Sequence, residues 1–145
     1  KRVARGTVEE SLCQPADDTP FNPVVIDEVD AGDYLQRSIV FNVTRYSRVR
    51  ALMLVPKGKG PFPAALLLHD HGAKYDIGKE KVIRPWGDEV RGASAAAWSA
   101  KYFSGRFIGN ELVARGYAVL AVDAIGWGDR SGLVYDGQQA LASNL

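Results

Sequence analysis

Pro63-Ala64-Ala65-Leu66-Leu67-Leu68-His69-Asp70-His71-Gly72-Ala73 decides how the rest of this sequence reads. A proline admits five consecutive apolar residues, and a polar His-Asp-His and a glycine stop them. That is the pattern of a short strand buried on both faces and opening into a loop at its C-terminal end. In open α/β sheets the crevice beyond the carboxyl ends of the parallel strands collects ligands, so residues 69–73 are the first place to look for chemistry.

Downstream, Tyr117-Ala118-Val119-Leu120-Ala121-Val122-Asp123 repeats the pattern, a second apolar run ending in an acid and then Gly126, Gly128 and Gly132. Between the two runs, Ser94 to Tyr102 is rich in alanine and reads as a helix with Ser94 as its N-cap. Arg106 to Arg115 reads as a second helix, because Ile108 and Leu112 lie one turn apart and Gly116 stands just past its end. Strand, helix and strand alternate, and a crossover of this length makes the two strands parallel with the helices on a face of the sheet. The polar passage Lys74 to Gly92 is long for a loop within a compact domain, which marks it as functional or mobile. Tyr135 to Leu145 opens a further helix with no closing strand.

Upstream, Val24 to Asp30 is β-branched and then alternating, and Ala31-Gly32-Asp33 supplies a turn. Leu35, Ile39, Phe41 and Val43 fall on one face of the next segment, with Gln36, Ser38, Asn42 and Thr44 on the other, the period of a half-buried antiparallel strand. Tyr46-Ser47 reverses the chain into the apolar run Val49 to Val55, so the three segments form an antiparallel meander. Charge supports the pairing: Glu9 to Asp33 contains acids and no Lys or Arg, whereas Arg37 to Lys59 contains bases and no acid. Opposite charges on neighbouring strands attract across a sheet. Residues 1–22 lack periodicity apart from a possible helical turn at Val8 to Cys13 and read as an extended lead-in to one domain spanning 23–145.

With 145 residues, 46% hydrophobic and 24% charged, the chain is long enough to bury a core. A net charge of +1 offers no basic field for nucleic acid or an anionic membrane. Cys13 is the only cysteine, which excludes an internal disulfide and a thiolate cluster. No apolar run is long enough to span a membrane. Lys1 is neither an initiator Met nor the start of a signal core, which points to a removed leader, hence a periplasmic or secreted setting rather than a cytoplasmic one, or to an artificial start.

Two motifs resemble the α/β-hydrolase superfamily, in particular its dienelactone-hydrolase-like and acetyl-xylan-esterase-like branch. The strand Ala65 to Leu68 running into His69-Asp70-His71-Gly72-Ala73 is similar to that family's His-Gly loop. Asn110 to Tyr117, Ala118 to Asp123 and Ile125-Gly126-Trp127-Gly128-Asp129-Arg130-Ser131 are similar to its helix, strand and Asp-x-x-Gly-x-Gly-x-Ser turn. The resemblance covers about Val24 to Leu145. It implies the N-terminal half of an α/β-hydrolase fold, antiparallel strands leading into a parallel βαβ sheet, and serine-dependent hydrolysis of a carboxylic ester, with an acetylated carbohydrate as a candidate substrate.

Ester hydrolysis passes through a tetrahedral oxyanion, which the family stabilises with one amide after the nucleophile and one from the His-Gly loop. The resemblance therefore assigns Ala73 N–H as the second donor and Gly72 as the residue that permits the turn. His71, Trp86 and Trp127 are candidate substrate contacts, while Trp98, in the alanine-rich helix, is assigned to packing. The family's Ser, Asp and His lie on later strands, expected beyond residue 145. Gly92-Ala93-Ser94-Ala95-Ala96 imitates a nucleophile elbow but lacks a strand before it, and Ser131 in Gly128 to Gly132 is one place late. The sequence alone thus predicts an incomplete enzyme, inactive by itself, whose partner is the remaining half of the domain or a complementary chain. The alternative is a non-catalytic structural or interaction module. No cofactor is implied. His69, Asp70 and His71 do not make a metal site, since neighbouring strand residues point to opposite faces and the sequence has no further histidine. Asp123 could contact a ribose, but no Gly-x-Gly-x-x-Gly follows the earlier strand.

Overall fold

The computed structural model describes residues 17–131; the turn expected at Val8 to Cys13 and the helix expected at Tyr135 to Leu145 lie outside them. Five strands form one sheet: β1 (Val24–Asp30), β2 (Tyr34–Thr44), β3 (Ser47–Pro56), β4 (Ala64–Leu67) and β5 (Ala118–Val122), in the order β1-β2-β3-β5-β4. The meander is present as read, with β1, β2 and β3 antiparallel in sequence. Its charge asymmetry is spent on pairing: Glu28 lies opposite Arg37 and the two side chains meet at 2.5 Å, while Lys57 reaches Asp30 at 2.7 Å. β5 inserts antiparallel to β3 and parallel to β4, with Leu54 opposite Val119 and Ala64 opposite Ala118.

Between β4 and β5 the chain climbs through a 3₁₀ turn (Lys79–Lys81), α1 (Glu89–Tyr102) and α2 (Ile108–Val113). Leu52 and Leu54 of β3, Val119 and Ala121 of β5, Val113 of α2, and Val82 and Ile83 after the 3₁₀ turn form the main core cluster. Because side chains alternate along a strand, the paired residues Leu52–Ala121 and Leu54–Val119 face the same helix-covered side. Gly116, with φ +87°, ends the helical segment as its position after Arg115 requires.

Three expectations are corrected. β4 is not buried on both faces: it is the edge of the described sheet, with only β5 beside it, and Leu66 is 63% exposed. The sequence left open which face of β2 lies beneath the helices, and it is not the apolar one. Ser38, opposite Leu52, points there and is buried with its Oγ accepting from Arg50 Nε at 2.7 Å. Ile39 and Phe41 lie instead on the other side, where Phe21 packs edge-on against Phe41. The Ala-rich helix begins earlier than its composition suggests. Asp88, not Ser94, is the N-cap, its carboxylate accepting from Arg91 N at 2.9 Å. Ser94 lies one turn inside and donates to Asp76 Oδ2 at 2.5 Å. Finally, the passage Lys74 to Gly92, read as a long polar loop, packs inward over its first half: Tyr75, Ile77 and the whole segment Lys79 to Ile83 are buried.

Candidate functional site

The loop after β4 and the loop after β5 meet at the C-terminal end of the parallel pair. His69 makes the first tie. Its Nδ1 lies 2.8 Å from Asp70 O, an acceptor, so Nδ1 carries the proton and Nε2 is left to accept from Ala124 N at 3.0 Å. His71 makes the second, because its carbonyl accepts from Trp127 Nε1 at 3.1 Å and its ring lies 4.9 Å from the Trp127 ring. Tyr75 also stacks on Trp127, at 4.9 Å. His71 and Trp127, two of the three expected substrate contacts, are therefore neighbours.

Trp86 is elsewhere. Its indole donates to Asp27 Oδ2 on β1 at 2.8 Å and its ring packs on the main core cluster. Beside it, Arg50, Lys79, Glu80, Arg91 and Asp129 line a cavity of about 40 Å³, room for water and not for a sugar.

Gly72 and Ala73 form a tight turn with φ +51° and +48°. At Gly72 a β-carbon would stand 2.3 Å from Trp98 Cη2 and 2.5 Å from Asp70 Oδ1, so both the backbone conformation and the space demand glycine. Trp98 thus packs, as its helical setting predicts, and what it packs is the turn. The Ala73 amide is already engaged: it donates to Nδ1 of His71 at 3.2 Å, a long bond to a side chain two residues back.

Behind the turn lie two buried lysines that the sequence reading passed over. Lys79 Nζ sits among three carboxylates, 2.6 Å from Asp123, 2.8 Å from Asp129 and 3.0 Å from Glu80. Arg91 closes the network on Asp129 at 2.5 Å and Glu80 at 3.3 Å. Asp123 also accepts from the amides of Lys79 at 2.7 Å and Asp129 at 2.9 Å, which welds the turn after β5 to the 3₁₀ turn. Burial lowers the Lys79 ammonium's affinity for its proton, but the charges of Glu80 and Asp123 outweigh it and hold the pKa above its ordinary value. Burial likewise pushes Asp129 up, and Lys79 and Arg91 more than reverse this, leaving it low. Glu80, Asp123 and Asp129 bring one oxygen each within 4.8 Å, a spacing that suits a cation. Lys79 supplies that positive charge itself, so the cluster reads as a cross-brace rather than a metal centre. Asp123, weighed above as a ribose contact, faces inward to this lysine.

Lys81 is the second. Its side chain is fully buried, and Nζ donates to the carbonyls of Asp70 at 3.1 Å and His71 at 3.0 Å. One signal could have found both lysines: Ile77, Val82 and Ile83 bracket the charged run Lys79-Glu80-Lys81, and an apolar bracket around charge implies buried, paired groups.

No family model matches the chain. Over 96 residues, 66% of this chain, it is 32% identical to a protein of Bacillus subtilis provisionally named hydrolase YtaP, of which those residues span 27%. A crystal structure from Bacteroides fragilis, of a protein provisionally titled an acetyl xylan esterase, superposes with a TM-score of 0.64 at 20% identity. It matches 95% of this chain and 33% of its own, so the chain spans about a third or less of the length of either relative. The strand order and the parallel crossover are thus those of the α/β-hydrolase fold, and over the described residues this chain has that fold.

Proposed function

We propose that this chain forms the first part of a serine-dependent carboxylic ester hydrolase, to which it contributes one oxyanion donor, the Ala73 amide, and none of the triad. The observation that carries the reading is the turn itself. A glycine at φ +51°, wedged against Trp98, sets a backbone amide at the C-terminal end of a parallel strand, and that amide's partner is a movable imidazole rather than a backbone carbonyl. Rotation of His71 about its side-chain bonds releases the amide to a substrate oxygen. In this reading the imidazole holds the donor's place until substrate arrives, and Trp127 and His71 flank the entering acyl group.

The nucleophilic serine, its histidine and the acid that orients it come from the remainder of the protein, which packs beside β4. The names of the two relatives agree with hydrolysis in general and, for the solved structure, with acetylated xylan; an acetylated carbohydrate is accordingly the proposed substrate class. Trp86, held by Asp27 on the far side of the buried charges, is proposed to pack rather than to touch substrate.

The test is hydrolysis of 4-nitrophenyl acetate by the full-length protein, before and after treatment with a serine-directed fluorophosphonate. The expected result is turnover that the reagent abolishes. A full-length protein with no turnover on activated acetyl esters would return the chain to the alternative, a non-catalytic module with a hydrolase fold.

A further inference from the structure

Resting on the reading of residues 69–73 as the oxyanion loop, we propose that Lys81 is the positioning residue of that loop, its buried ammonium fixing the peptide planes from which the donor is presented. The ammonium has three acceptors, all on the loop: the carbonyls of Asp70 and His71 at 3.1 and 3.0 Å, and the Asp70 carboxylate at 3.6 Å. Two indoles flank it. Nζ lies 4.7 Å from the centre of the Trp98 ring and 6.0 Å from that of Trp127, the indoles that wedge Gly72 and hold the His71 carbonyl.

The consequence follows from peptide geometry. In a trans peptide the carbonyl and the next N–H point to opposite sides. Drawing the carbonyls of Asp70 and His71 onto a buried ammonium therefore turns the amides of His71 and Gly72 away from the interior. The Gly72 and Ala73 backbone leaves that anchored plane with its two positive φ values. A loop held only by exposed polar side chains would wander on the scale of an ångström, and misplacement of that size is enough to cost about two orders of magnitude in rate.

Neither lysine is interchangeable with the other. Lys79 binds three carboxylates and braces two turns, whereas the two shortest bonds of Lys81 go to carbonyl oxygens that carry no net charge, with the Asp70 carboxylate farther off at 3.6 Å. Burial lowers the proton affinity of Lys81, and Asp70 and Asp76 only partly offset this, with Lys74 adding to the lowering. These are the titratable groups that face the ammonium. Loss of its proton at alkaline pH removes the charge that holds both carbonyls.

The experiment uses the full-length protein and 4-nitrophenyl acetate. Lys81→Met is expected to lower kcat about 100-fold with KM within about twofold, because the acyl contacts remain and only the donor is misplaced. Lys57→Met, the same change at a lysine whose partner is Asp30 at the surface, is expected to stay within about threefold of wild type. A cooperatively melting Lys81→Met enzyme with wild-type kcat overturns the proposal while leaving the esterase reading intact; absence of ester turnover in the wild-type protein fails both. If Lys81→Met does not melt cooperatively, wild-type enzyme labelled with ¹³C at the lysine Cε decides. The Lys81 signal, displaced by the Trp98 ring current, is expected to titrate at the pH where kcat falls. Titration with no change in kcat overturns the proposal.

Discussion

Lys79 Nζ lies 2.6 Å from Asp123 Oδ2, and both side chains are shut off from water. The pair joins the segment that follows β4 to the segment that follows β5, and it has no solvent to fall back on. Lys79→Met would leave Asp123 as a buried carboxylate without its cation and Glu80 with Arg91 alone. Breaking one side of such a pair typically costs about 3–5 kcal/mol, so the variant is expected to lose that much in urea unfolding. A loss below about 1 kcal/mol would mean that water reaches the network.

The same network sets a pH window. Asp129 has its pKa held below the ordinary 3.8, so its contribution is complete above that value and is lost as pH falls through the lower folded one. Lys79 is held above the ordinary 10.5, so its contribution is complete below that value and is lost as pH rises through the higher folded one. From these two groups, melting temperature should be flat from about pH 5 to pH 9 and fall at both ends. Replacing Asp129 by Asn should remove its share of the acid limb.

Gly72→Val meets two obstacles at once, a backbone at φ +51° and the Trp98 ring 2.3 Å from the new Cβ. In the full-length protein it should reduce ester turnover by on the order of 10²-fold, the scale of losing one oxyanion donor. Adding Trp98→Ala would remove the ring but neither the Asp70 carboxylate 2.5 Å away nor the backbone preference, so activity should recover only in part. Full turnover in Gly72→Val would remove Ala73 from the proposed mechanism.

At Gly78 the neighbouring side chains leave no space. A β-carbon there would stand 2.3 Å from Asp123 Oδ1 and 3.0 Å from His69 Nε2, so even Gly78→Ala must push the carboxylate off Lys79. Its melting temperature should drop well below that of Gly92→Ala, a position on α1 where a β-carbon meets nothing within 4 Å. Equal melting temperatures would show that the cluster relaxes freely.

Among the described residues β4 is open on one side, with Leu66 63% and Leu68 77% exposed. Such an edge recruits another strand. The 145-residue chain on its own should self-associate in light scattering, and Leu66→Lys with Leu68→Lys should reduce the association. A monodisperse monomer at high concentration would contradict this.

Residues 24–56 were legible as three antiparallel strands because turns, alternation and the opposed charge runs are local signals. Glu28 and Arg37 sit opposite each other as the runs foretold. The parallel β4–β5 pair was legible for the same reason, from two apolar runs and a helical stretch of crossover length. The start of α1 was not, since Asp88 as a cap competes with Ser94 and only the folded chain shows which of them is free: Ser94 is engaged with Asp76.

What the sequence by itself determined is the set of strands, their sense, and the place of the His69 to Ala73 loop at a strand end, because apolar periodicity and glycine placement act over a few residues. Only the tertiary structure decided what stands behind that loop. Lys79, Glu80 and Lys81 read in the chain as part of a long polar passage; Lys79 becomes the centre of a buried network once the chain after β5 delivers Asp123 and Asp129 from some fifty residues away. Charge burial depends on partners distant in sequence, and no local pattern encodes where those partners arrive.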